Sequence, residues 1–168
     1  MSKTVAVTCG SQEFWAYDLA LGIWLKKALD EIARQAWQGE PSPAAAELSN
    51  WATVAVLGSS SVLDLTPRSL TLARQDNFEG IATGIETWLE SRERLSGPEL
   101  AEWRLLDDAP ISRADAPAVV ENGTETAPVI DLGRALVSAV LGVLPPPPPA
   151  TWWAIGFASE RTTIAMRA

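Results

Sequence analysis

Residues 14–25 read FWAYDLALGIWL. Eleven of these twelve are apolar, small or aromatic, and the remaining one, Asp18, is charged. The winding of this run decides the fold, because no other stretch of the chain is so averse to water. Ser11 has the chemistry of a helix N-cap, and Gln12 and Glu13 suit a first turn. The resulting expectation is one long helix from Ser11 to about Trp37. Its second half is amphipathic. Leu25, Leu29, Ile32 and Ala36 share one face, while Lys26, Lys27, Asp30, Glu31 and Arg34 fill the other, with Asp30 and Arg34 as an i,i+4 pair. Its first half is apolar nearly all round and calls for cover on every side.

At about 100° per residue, Asp18 projects between Leu25 and Leu29, into the apolar stripe. A carboxylate buried there must find donors or take up a proton. Asp18 is therefore either a structural tie, the preferred reading, or a binding residue with a displaced pKa.

Downstream, Gln38 to Pro43 is a break. Residues 43–57 fit two patterns. Leu48, Trp51, Ala52, Ala55 and Val56 recur at helical spacing, yet Thr53 to Leu57 also reads as a strand; helix is preferred. Leu65-Thr66-Pro67 starts a short helix to about Arg74. Asp76-Asn77-Phe78-Glu79 matches a capping box. The helix behind it carries a stripe of Phe78, Ile81, Ala82, Ile85, Trp88 and Leu89, with Glu90 and Arg94 paired outside. Gly80 and Gly84, one turn apart, predict close approach of another backbone. Ser96-Gly97-Pro98-Glu99 is a second capping box, opening a helix to Trp103 or Leu105.

Residues 107–127 have no periodicity and hold five acids against one Arg. They read as an irregular acidic loop, either a solvated excursion or a partner-binding segment. Pro128 opens a last helix to Leu144, with Leu132, Leu136, Ala139, Val140 and Val143 inward and Asp131, Arg134 and Ser138 as a polar edge. Arg134 is the expected buried cation that meets Asp18. Pro145 to Pro149 is a polyproline strap across the surface. The tail reads as a β-hairpin, Thr151 to Phe157 and Thr162 to Met166. Trp153, Ile155, Phe157 and Ile164 share its core face, and Trp152 edges a flat face of small residues that a helix or a ligand covers. The fold class is thus α+β, a single compact domain over 1–168 with four to six helices and a C-terminal hairpin, which a short N-terminal strand around Val5 to Thr8 can join.

Composition narrows the function. The chain has 168 residues, with 13 basic against 21 acidic side chains, a net charge of −8. No basic patch is visible, which argues against nucleic acid. There is no histidine and a single cysteine, Cys9. Ser–His and Cys–His nucleophile systems, the common zinc sites and disulfides therefore drop out, and no phosphate-loop motif occurs. No metal or cofactor is expected. The lone thiol, the lack of a signal-peptide core and the lack of an apolar run of about 18 residues predict a cytoplasmic chain with no membrane span. Eight Trp against one Tyr and three Phe suit a sticky surface or a core with several polar contacts.

By elimination, the leading expectation is a non-catalytic module that binds another protein, of the acidic, partner-neutralising immunity or antitoxin kind. Asp18, Trp15, Arg134 and Trp152 are its candidate binding residues. The alternatives are a small enzyme with paired carboxylates, Asp18 with Asp107 or Asp108, and a small-molecule module with a Trp-lined pocket between the last helix and the hairpin.

Overall fold

The computed structural model describes residues 4–9, 12–36, 62–64, 72–103, 122–143 and 153–155. Its first elements overturn the long N-terminal helix. Strand β1 (Thr4–Cys9) runs antiparallel to strand β2 (Gln12–Tyr17), and helix α1 begins only at Asp18 and ends at Ala36. The physical reason is a change of period inside the apolar run. Phe14 and Ala16 are fully buried while Trp15 and Tyr17 are half-buried, the alternation of a strand. From Leu19 onward, Leu19, Ala20, Ile23, Trp24 and Ala28 are buried at helical spacing. Cys9 faces Gln12 in the register, so the two consecutive strands close a hairpin.

The larger sheet has the order β3-β1-β2-β6. Strand β3 (Val62–Asp64) lies parallel to β1, a strand not foreseen from so short a segment. Strand β6 (Trp153–Ile155) lies antiparallel to β2, with Ile155 opposite Phe14 and Trp153 opposite Ala16. The expected tail strand thus exists and pairs with the N-terminal hairpin. Its expected partner at 162–166 lies outside the described residues, as do Trp152, the proline strap, residues 43–57 and most of the 107–127 segment.

Helix α2 (Leu72–Glu90) runs without a break through Asp76, so the expected capping box there is not a helix start. Its stripe holds: Phe78, Ile81, Ala82, Ile85 and Leu89 are buried and Trp88 packs against them. It ends before Arg94, which lies in strand β4 (Arg94–Leu95) and pairs with Glu125 at 3.4 Å, not with Glu90. The capping box at Ser96 is present. Ser96 Oγ accepts from the Glu99 N–H, with Pro98 in the first turn of helix α3 (Gly97–Glu102).

Strand β5 (Thr124–Glu125) pairs with β4, so the end of the expected acidic loop is ordered ladder. Thr126 ties this ribbon to the next helix. Its Oγ1 donates to the Arg92 carbonyl at 2.7 Å, and its carbonyl accepts from Val129 and Ile130 at 3.0 Å. Helix α4 (Ala127–Val140) stops short of Leu144. Gly142, at φ 79°, lets the Val143 N–H reach the Ser138 carbonyl at 2.8 Å and its own N–H reach Ala139 at 3.0 Å. This Schellman closure ends the helix before the prolines, and it leaves Val143 exposed, not on the inner face.

The described residues are thus mostly helical, with four helices, and belong to the α+β class. Helices α1, α2 and α4 pack on one another, and α1 and α4 rest on β2. One apolar cluster joins Val5, Val7 and Phe14 of the sheet to the inner faces of the three helices.

Two glycines carry backbone constraints of different size. A Cβ at Gly123, at φ 67°, would run into the Leu95 carbonyl oxygen, whereas one at Gly142 would meet nothing within 4 Å. Gly142→Ala is expected to cost about 1 kcal/mol, the left-handed strain alone. Gly123→Ala should cost more than that, because the β4–β5 ribbon must also open. Urea unfolding of both variants checks the order.

Candidate functional site

A cavity of about 340 Å³ lies between α2 and α4. Its floor is Trp24, Ala82, Leu89, Gly133 and Val137, and its rim carries Glu79, Thr83, Glu86, Arg134 and Ser138. Each wall follows from helix periodicity. Ala82, Glu86 and Leu89 stand about one turn apart on α2, and Gly133, Val137 and Leu141 do so along α4. Trp24 enters from α1. Its ring is tilted on Phe78 of α2, centroids 5.8 Å apart. A Cβ at Gly133 would lie 2.6 Å from the Trp24 Nε1. Gly133 is therefore a close-approach glycine, although the group beside it is an indole and not the backbone expected at Gly80 and Gly84. Gly80 has nothing within 4 Å, and Gly84 is covered by the flexible Glu31 side chain, not by backbone.

Arg134 is not the buried cation expected to meet Asp18. Its side chain is 56% exposed and is held by the carboxylates of α2. Nε donates to Glu86 Oε1 at 2.8 Å, and a second guanidinium nitrogen donates to the same oxygen. Glu90 Oε1 lies 3.4 Å away and Asp131 4.0 Å. Both close bonds fall on Oε1, so this is not the two-oxygen fork of a bidentate pair. The bond from Glu86 is the largest influence on the guanidinium and raises its pKa, with burial opposing and the nearby carboxylates adding. An exposed pair of this kind contributes about 0–1 kcal/mol to stability.

Asp18 is the first residue of α1. A helix start offers unpaired N–H groups and the positive end of the dipole, an environment that suits an acid between a strand and a helix; its side chain lies outside the described residues. Trp15 lies on β2, between Ala6 and Ala154 in the register, and is half-buried. Of the two candidates whose side chains are described, Arg134 lines the cleft and Trp15 does not; Trp152 lies outside the described residues. Trp24, Glu86 and Gly133 were not singled out from sequence. The one available signal was a glycine inside α4, a position that weakens a helix unless something needs the space.

A second cluster ties α1 to the far end of α2. Lys27 Nζ lies 4.0 Å from the Trp88 ring centroid and 5.7 Å from that of Trp103, and the Arg92 guanidinium lies 4.1 Å from Trp88. Trp88 and Trp103 are 6.0 Å apart. Lys27 also bonds Asp30 at 3.0 Å, as does Lys26 at 2.6 Å. These bonds replace the expected Asp30–Arg34 pair, because Arg34 bonds Glu31. This arrangement closes on itself and reads as a fastening between helices.

No helix among the described residues is long and apolar enough to cross a membrane, and none of their His, Cys, Asp and Glu side chains form a group of three fit to hold a metal ion. Comparison with protein-family models, with curated proteins and with solved structures finds no match for the chain.

Two carboxylates should respond to acid in opposite senses. Burial raises Asp30, but the bonds and charges of Lys26 and Lys27 outweigh it and hold the group below 3.8. Its stabilising contribution is complete above 3.8 and is lost as pH falls through the lower folded value. Burial also raises Asp131, and there the Arg134 charge offsets it only in part, leaving the group above 3.8. Its ionisation therefore costs stability as pH rises from 3.8 through the higher folded value. Asp30→Asn should lose stability at pH 7 and show a shallower acid limb. Asp131→Asn should be neutral or more stable at pH 7. Denaturant melts between pH 2 and 7 check both signs.

Proposed function

We propose that the chain is a non-catalytic binding module that takes a segment of a protein partner in the α2–α4 cleft. The observation that carries this reading is the cleft itself, an aromatic and aliphatic floor beneath a charged rim. Interface anchors are apolar side chains seated in such pockets and framed by polar groups. Leu141 lines the cleft and is 46% exposed, and Val143 beside it is 65% exposed, which extends the apolar surface past the end of α4. The net charge of −8 favours a basic partner and speeds its encounter. A partner-neutralising role fits this chemistry. The expected Trp-lined pocket of a small-molecule module has a counterpart here, although its second wall is α2 and not the C-terminal strand. A cavity of about 340 Å³ is also within the size range of small-molecule sites, so a metabolite is the second reading.

A displayed peptide library selected on the protein tests the first reading. Thr83 is exposed on the rim, so Thr83→Trp should block the cleft without disturbing the core. Selected peptides are expected to lose roughly tenfold or more in affinity on Thr83→Trp, equivalent to about 1.4 kcal/mol, and to bind a distant Glu102→Ala variant as well as the parent. Peptides indifferent to Thr83→Trp would refute the cleft as the docking site. Quenching of Trp fluorescence by a metabolite, with no peptide enriched, would favour the second reading.

A further inference from the structure

We propose that the cleft reads a guanidinium group, so that the partner segment presents an arginine beside an apolar side chain, and that Arg134 occupies part of that arginine's place in the free protein. The inference rests on the cleft being the binding site. Its first support is an imbalance of charge. Glu86, Glu90 and Asp131 lie within 4.0 Å of the one guanidinium described there, and Glu79 lines the same cleft, so acids outnumber cations at this rim. The other described cations toward that end of α2 have carboxylate partners elsewhere: Arg92 bonds Glu99 at 3.0 Å, Lys27 bonds Asp30 at 3.0 Å, and Arg94 pairs with Glu125 at 3.4 Å.

The second support is the geometry of the existing pair. Both close Arg134 donors land on Glu86 Oε1, and no bond among the described residues goes to Oε2. A planar fork of donors is the group that completes such a carboxylate. Arg134 shows that a guanidinium fits at this rim. Its exposed head can also swing toward Glu90 and Asp131 when a second one arrives. The apolar floor beside Glu86 then receives the hydrocarbon part of the ligand, which a small inorganic cation does not use.

Benzylguanidinium is a suitable probe, compared with benzylammonium, benzyl alcohol and phenylacetate, with the Trp24 indole N–H followed by NMR. Benzylguanidinium is expected to shift that signal saturably and to bind more tightly than the other three. Glu86→Gln should weaken it roughly tenfold. Arg134→Gln should strengthen it, because it removes the competing head; this outcome does not depend on the Glu86 variant folding. Tighter binding of phenylacetate, or a Glu86→Gln affinity equal to the parent's, would overturn the proposal. Equal affinity for benzyl alcohol and benzylguanidinium would overturn the guanidinium assignment and leave the cleft as the binding site. If no probe moves the Trp24 signal and the selected peptides ignore Thr83→Trp, the cleft reading fails as well.

Discussion

The indole of Trp24 occupies the space that a side chain at Gly133 would need, and its ring is tilted on Phe78. This three-way contact joins α1, α2 and α4, and it depends on a missing side chain. With only a hydrogen at 133, α4 can close to within touching distance of the ring. The next residue, Arg134, is turned by about 100° and stands at the surface. The cleft takes its two-layer character from this succession, an aromatic floor at one position and a charged rim at the next. An alanine at 133 would gain about 1 kcal/mol of helix propensity, yet it would put a methyl group into the indole, and overpacking of this kind costs about 1–3 kcal/mol. Packing prevails over propensity at that position.

Much of the helical architecture was legible because burial follows period. The α2 stripe, the Ser96 cap and the inner face of α4 as far as Val140 appear where spacing and cap chemistry place them. The N-terminal run was misread for an identifiable reason. When nearly every residue is apolar, a strand and a helix produce the same composition, and only the burial of Phe14 and Ala16 against the half-exposure of Trp15 and Tyr17 separates them. Strand β3 has three residues, too few to show alternation. Helix ends were harder than helix faces. The cap at Asp76 was outweighed by continued helix, and the glycine stop at 142 acted before the proline run could.

The cleft was less legible than the fold, since it is built from pairings between distant segments. Arg134 was recognisable as unusual on an apolar helix, but its partner was assigned to the wrong element. Glu86 lies 48 residues away, and no local pattern distinguishes it from other solvated acids. Gly133 and Trp24 are ordinary members of apolar runs until α1 and α4 are laid together. The Trp88 cluster shows the same limit. Each of its cations looks like part of a solvated face, whereas in the structure both sit over an indole. A long side chain can cover aromatic surface while its charge stays wet.

No residue intervenes between Tyr17, the last of β2, and Asp18, the first of α1. Strand β2 is bonded to β1 on one side and β6 on the other, so its end is held in place by two ladders. The angular phase of α1 is therefore set by the sheet. One residue inserted at this joint would turn the whole helix by about 100° and carry Trp24 away from both Phe78 and Gly133. The hairpin thus works as an indexing device, and the shape of a cleft built from three helices is held in register by strands whose described residues do not line it.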